Sequence, residues 1–211
     1  MQGTRAIVVS LSFCVLVPGC SSRPDRVRPV DIDPSSASSA AIEMYDKDGD
    51  GAIGATELDA VPGIKKHVSN YDRDGDGKVS REEIASRLQS WNDNSLALHG
   101  APFAIQLDGQ WLEGATVTMV PEPYLGENVK PATGVTLSNG YTDLSHADEL
   151  LPKSANGRPL YGVFSGTYKI QITHPTRQIP ARYNTATQLG DEIAFDLNSN
   201  GDPVRIAITS K

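Results

Sequence analysis

The segments DKDGDGAIGATE (46–57) and DRDGDGKVSREE (72–83) carry aspartate at their first, third and fifth positions, glycine at the sixth and glutamate at the twelfth. Carboxylates held that close repel one another, and the repulsion is only partly damped by water. A hard divalent cation reverses its sign. Such an ion takes six to eight oxygens, and a loop with oxygens at alternate positions curls them around one point. The chemistry written into these residues is therefore cation coordination, twice.

Something must hold the two loops. Ile42 and Tyr45 stand four and one residues before Asp46, and Val68 and Tyr71 stand at the same offsets before Asp72. Leu58 and Val61 follow the first loop, Ile84 and Leu88 the second, spaced as one face of a helix requires. The repeat thus predicts helix, acidic loop, helix, two times over, from about Ser36. Between Glu57 and Asp72 runs LDAVPGIKKHVSNY, interrupted by Pro62 and Gly63, so the two middle helices are expected to be barely two turns each.

Both copies resemble the EF-hand, matching its D-x-[DN]-x-[DN]-G-x5-E loop at every position. The resemblance implies two Ca²⁺ ions. The first would be held by Asp46, Asp48, Asp50, the carbonyl of Ala52 and a bidentate Glu57. The second would be held by Asp72, Asp74, Asp76, the carbonyl of Lys78 and Glu83. Ile53 and Val79 occupy the eighth places, where paired loops join through a short two-stranded contact that favours β-branched residues. Residues 40–91 carry 11 acids and 7 bases, a net of −4 that two such ions would neutralise. Mg²⁺ and Mn²⁺ stay open as occupants. Short helices and the scarcity of Met, three in all, favour structural sites over a sensor that opens a Met-rich groove. Dockerins also pair acidic loops, but usually close them with Asp and lack an entering helix.

The N-terminus reads as an export signal. Arg5 is the only charge in MQGTRAIVVSLSFCVLVPGC, and the apolar run from Ala6 to Val17 is too short to span a bilayer. LVPGC resembles the lipobox of bacterial lipoproteins, with Pro18 departing from the usual small residue, and implies cleavage before a lipidated Cys20. Cys14 lies inside the signal, so Cys20 would have no disulfide partner. The expected organisation is a signal peptide (1–19), a lipidated Cys20 on a flexible tether (20–35), a helical pair of loops (36–92) and a sheet region (100–211). An exported protein anchored to a membrane by its lipid is expected, or a soluble secreted one if Cys20 is not modified.

After Trp91 the period changes from helical to alternating. Ala115, Val117 and Met119 alternate with Thr116, Thr118 and Val120, and Tyr168, Ile170 and Ile172 with Lys169, Gln171 and Thr173. EIAFDLNSNGDPVRIAIT reads as two strands about a Gly-containing loop, with Ile193, Phe195, Leu197, then Val204, Ile206 and Ile208 inward. Asp108-Gly109 and Asn139-Gly140 mark tight turns. The fold class expected is α+β, two modules: a small helical pair beside an antiparallel β-sandwich. On LDGQWLEGATVTMVPE, GVFSGTYKIQITH and IPARYNTATQL, the second half resembles the carboxypeptidase regulatory-like, or transthyretin-like, sandwiches of exported bacterial proteins, planctomycete lipoproteins among them. Hydrolases of the transthyretin type end in Tyr-Arg-Gly-Ser, whereas this chain ends AITSK.

Composition narrows the function classes. A net charge of −7 with no cluster of Lys and Arg argues against nucleic acid. His67, His99, His146 and His174 stand singly, with no zinc-type spacing, and no G-x-S-x-G, P-loop or G-x-G-x-x-G occurs. Trp91 and Trp111 are read as packing residues. The expectation is a non-enzymatic, calcium-binding, membrane-tethered protein whose sandwich serves an unnamed protein or glycan partner. The alternatives are a glycan- or polymer-binding module stabilised by calcium, and a hydrolase in which histidines converge with Arg158, Arg177 or Arg182. Chelation is expected to lower the melting temperature of the helical module more than that of the sandwich.

Overall fold

In the computed structural model, residues 30–94, 96–197 and 201–211 are described. The expected signal segment and Cys20 lie outside them. Helix α1 (Pro34–Tyr45) begins where Asp33 accepts hydrogen bonds from the amides of Ser35 (2.9 Å) and Ser36 (3.5 Å), with Pro34 preset for the first turn. The helix therefore starts two residues before the expected Ser36. Ile32 is buried, and its carbonyl accepts a hydrogen bond from Asn92 at 2.9 Å. Residues 30–35, expected in the tether, are thus part of the folded body.

Asp46 ends α1, and strand β1 (Ala52–Ile53) closes the first loop. The expected middle helices are shorter than two turns. A 3₁₀ turn over Leu58–Ala60 is followed by α2 (Pro62–Lys66) and another 3₁₀ turn over Val68–Asn70. Pro62 offers no amide to continue the first turn and instead starts the next one. After the second loop come β2 (Val79–Ser80) and α3 (Arg81–Asp93), which opens on a capping box: Ser80 Oγ accepts from the Glu83 amide, and Glu83 accepts from the Ser80 amide at 2.8 Å. β1 and β2 pair antiparallel, Ile53 opposite Val79, both fully buried.

The rest is sheet. The strands are β3 (Leu98–His99), β4 (Pro102–Leu107), β5 (Gln110–Trp111), β6 (Thr116–Pro121), β7 (Ala132–Val135), β8 (Tyr141–Asp143), β9 (Val163–Phe164), β10 (Gly166–Thr173), β11 (Gly190–Ile193) and β12 (Val204–Ile208). One four-stranded antiparallel sheet runs β11-β10-β6-β7; another holds β12-β4-β5, with β8 also on β4, while β3 and β9 pair separately. The β4–β5 turn is Asp108-Gly109, both at positive φ (52° and 79°), as a two-residue hairpin of matching twist requires. The expected alternation holds in β6 and β10, where Val117, Met119, Tyr168, Ile170 and Ile172 are buried.

The pairing of the last strand departs from expectation. β11 and β12 do not pair with each other: β11 ends at Ile193, Phe195 and Leu197 fall in the following turn, and β12 runs parallel to β4, Ile206 beside Ile105. Alternation identifies the inward face of a strand but not its neighbour. Among the described residues, all other strand pairs are antiparallel.

The helical region and the sheets share one apolar cluster, which includes Ile53, Val79, Ile84 and Leu88 together with Phe103, Val117 and Ile170. Contact is closest where α2 crosses β11. A Cβ on Gly63 would lie 2.9 Å from the Asp191 carbonyl, and one on Gly190 would lie 2.5 Å from the Gly63 nitrogen, so only glycine fits at either place. Among the described residues no helix is long and apolar enough to cross a membrane.

Candidate metal centres

The first loop leaves α1 at Tyr45, whose ring is buried and whose position fixes where Asp46 begins. Asp46 accepts hydrogen bonds from the amides of Gly49 (2.6 Å) and Gly51 (2.9 Å). Asp48 accepts from Asp50 N–H (3.1 Å), and Asp50 from Ala52 N–H (3.0 Å). The second loop repeats the pattern. Asp72 accepts from Gly75 (2.7 Å) and Gly77 (3.0 Å), Asp74 from Asp76 (3.2 Å), and Asp76 from Lys78 (2.8 Å). Gly51 and Gly77 sit at φ of 91° and 81°, where a side chain would strain the turn.

These bonds aim the carboxylates inward. Asp46, Asp48 and Asp50 each place an oxygen within 4.8 Å of the other two, and so do Asp72, Asp74 and Asp76. Glu57 and Glu83 lie outside these triads, engaged with the backbone that closes each loop. Glu57 accepts from Lys47 N–H (2.5 Å) and Gly54 N–H (2.7 Å), and Glu83 from Arg73 N–H (2.8 Å) and Ser80 N–H (2.8 Å). The amides of Gly54 and Lys47 hold Glu57 below the ordinary glutamate range. Glu83 is also lowered: its partial burial works against ionisation, and the Ser80 and Arg73 amides outweigh it. Ala52 pairs with Ser80 across β1 and β2.

Lys78 does more than lend a backbone position. Its ammonium pairs with Asp50 of the other loop, which lowers the Asp50 pKa and raises its own. The sequence reading missed this contact because the two residues are joined only through the β1–β2 pairing.

The donor set suits a hard cation. Each triad offers carboxylate oxygens alone, with no thiolate or imidazole, and oxygen-only sets select Ca²⁺ or its hard neighbours over zinc or copper. The exposed flank of each loop leaves Asp48, Asp74 and Asp76 open to an incoming ion, while Asp50 is exposed but shared with Lys78.

The other candidates for chemistry each have their own partners. His67 Nε2 meets Asp191 at 2.6 Å, and His99 Nε2 meets Ser165 at 2.9 Å. His146 stacks on Phe164 and accepts its amide N–H at 3.0 Å, and His174 meets the Glu113 carbonyl at 2.9 Å. Trp91 is buried, but Trp111 is 42% exposed, contrary to its reading as a packing residue, because β5 lies at the end of its sheet.

A set of buried charged residues between the helices and the sheet was also missed. Glu122 and Glu192 are fully buried, Asp191 nearly so, and Arg87 reaches Glu192 with Nε at 2.7 Å and Asp196 with two nitrogens at 2.8 Å. Burial raises the pKa of Glu192 against the pull of Arg87, and raises that of Glu122 against Lys169 and Tyr45. No spacing in the chain links residues 87 and 192, so no local pattern could have revealed them.

Comparison with known proteins agrees with the loop chemistry. A family model described as EF hand matches residues 40–62 and 69–88. No curated protein and no solved structure matches the chain. The matched residues begin inside α1 and take in both acidic loops, so this region is similar to EF hands in sequence as well as in the arrangement of its loop carboxylates.

Proposed function

We propose that the protein binds two calcium ions, one in each loop, and that the ions serve as structural ties for an exported, lipid-anchored protein. The observation that carries the calcium reading is the convergence of three aspartates in each of two loops, with their oxygens within 4.8 Å. Asp46, Asp48, Asp50 and Glu57, with the carbonyl of Ala52, would hold one ion. Asp72, Asp74, Asp76 and Glu83, with the carbonyl of Lys78, would hold the other. A bound ion neutralises the crowded carboxylates and favours the folded chain by mass action.

The anchor would be a lipid on Cys20, supported by the short apolar segment and the LVPGC sequence before it. The sheet region, read as a relative of transthyretin-like sandwiches on its strand pattern, would serve as a surface for a partner outside the membrane. Titration calorimetry of the chain from residue 21 onward, with Ca²⁺ and separately with Mg²⁺, tests the ion reading: two calcium equivalents are expected, and no heat of binding for either ion refutes it. Mass spectrometry of the native N-terminus tests the anchor. A diacylglyceryl adduct on Cys20 is expected, and an unmodified thiol refutes it.

A further inference from the structure

Tyr45 and Tyr71 stand immediately before the first aspartate of each loop, and both side chains run the same way, into the sheet. The Tyr45 hydroxyl donates to Glu122 Oε2 at 2.8 Å and its ring meets Tyr124 edge-on at 6.4 Å. The Tyr71 side chain is fully buried, with Glu192 near its hydroxyl and no hydrogen-bond partner on its oxygen. Glu192 also takes the Trp91 indole N–H at 3.2 Å and the guanidinium of Arg87. Each loop is therefore joined by one peptide bond to a buried tyrosine: Tyr45 bonded to Glu122, just past the end of β6, and Tyr71 buried near Glu192 of β11.

The seam is imperfectly satisfied. Among the described residues, the buried side-chain polar atoms without a hydrogen-bond partner are Tyr71 Oη, Glu122 Oε1 and Glu192 Oε2, and all three lie in it. Unpaired buried polar groups are costly to keep dry. A layer that concentrates them is the layer that opens first when support is withdrawn.

We propose that Tyr45 and Tyr71 act as a paired latch through which occupancy of the two loops holds the helical region onto the sheet at Glu122 and Glu192. This rests on the calcium reading above. An ion that fixes Asp46 and Asp72 fixes the backbone of the preceding tyrosines and so the direction of their rings. Without it, the loop carboxylates repel, the tyrosines lose their register, and water reaches the unpaired atoms of the seam. The helices and the sheet then loosen together, in place of the separate melting expected from the sequence.

The chain from residue 21 onward carries its own reporter. Trp91 lies in the seam, and Trp111→Phe removes the other, exposed tryptophan, leaving Trp91 as the single emitter. At calcium a hundred times its dissociation constant, each ion suppresses opening about a hundredfold. Removing calcium with EDTA is therefore expected to shift Trp91 emission to the red and to raise amide exchange in β10 and β11 by at least about tenfold, in step with α1 and α3. A second protein, carrying Tyr45→Phe and Tyr71→Phe, is expected to keep calcium binding by calorimetry while exchange in β10 and β11 becomes indifferent to EDTA. Calcium binding with no response of Trp91 or β11 in the first protein overturns the latch and leaves the calcium reading standing. Absence of calcium binding in that protein overturns both.

Discussion

At the scale of single residues, the two loops turn like-charged side chains into a site by fixing each carboxylate with backbone amide donors while its remaining lone pairs stay available to an ion. Glu57 shows why a near-isostere fails. Both of its oxygens accept amide hydrogens, so a Gln there turns an NH₂ toward an N–H and also removes the charge. Glu57→Gln is expected to weaken the first site by at least about tenfold in calcium titration, with the second site closer to its original affinity. Lys78 predicts the opposite sign. Its ammonium occupies Asp50, and an exposed pair is weak, so Lys78→Met is expected to tighten the first site by up to about fivefold. The effect should fade as salt is raised, because screening already weakens an exposed pair.

At the scale of elements, the molecule depends on how closely α2 and β11 approach. Gly190→Ala would set a Cβ 2.5 Å from the Gly63 nitrogen and 2.7 Å from the Pro62 carbonyl carbon, against backbone that has no rotamer to escape into. A loss of about 1–3 kcal/mol, read as a lowered urea midpoint, is expected from such overpacking. His146 makes a prediction for the β8–β9 connection. Burial lowers its pKa below 6.5, and its Nε2 accepts the Phe164 amide, which only the neutral ring can do. Its folded pKa is depressed, so the unfolded chain binds the proton more readily, and the stability it contributes is fully present above about pH 6.5 and lost as pH falls from there through the lower folded pKa. Unfolding free energy measured between pH 7 and 5 at saturating calcium should fall with acid, and His146→Gln should reduce the slope.

At the scale of the whole molecule, the helical pair is fastened to the sheet by charges of which Arg87, Glu192 and Asp191 are withdrawn from water. Arg87 stands between fully buried Glu192 and half-exposed Asp196. Removing one member leaves a buried charge alone, so Arg87→Met is expected to cost about 3–5 kcal/mol in chemical denaturation. Arg87→Met with Glu192→Met removes both charges, and is expected to recover most of that loss by filling the seam with apolar volume. If the single and double variants unfold alike, Arg87 and Glu192 are not coupled.

Much of this was legible in the chain because it is local. The EF-hand loops are spelled within twelve consecutive residues, since an ion-binding turn is made of neighbours, and the period-2 faces of β6 and β10 follow from the pleat alone. Asp108-Gly109 announced its hairpin for the same reason. Contacts with a partner far along the chain leave no such local pattern. The parallel seat of β12 against β4, the docking of Ile32, the Lys78–Asp50 pair and the exposure of Trp111 all depend on which elements come to lie side by side.

The amino-acid order by itself determined two oxygen-lined loops with a helix on each side and a sheet after them, because coordination geometry and side-chain alternation act over a few residues. Only the tertiary structure decided that Tyr45 ends at Glu122, that Tyr71 is buried near Glu192, and that Arg87 bridges Glu192 and Asp196. Burial is the physical reason: a charged or hydroxylic group takes its meaning from what replaces water around it, and that is settled by packing between elements distant in the chain.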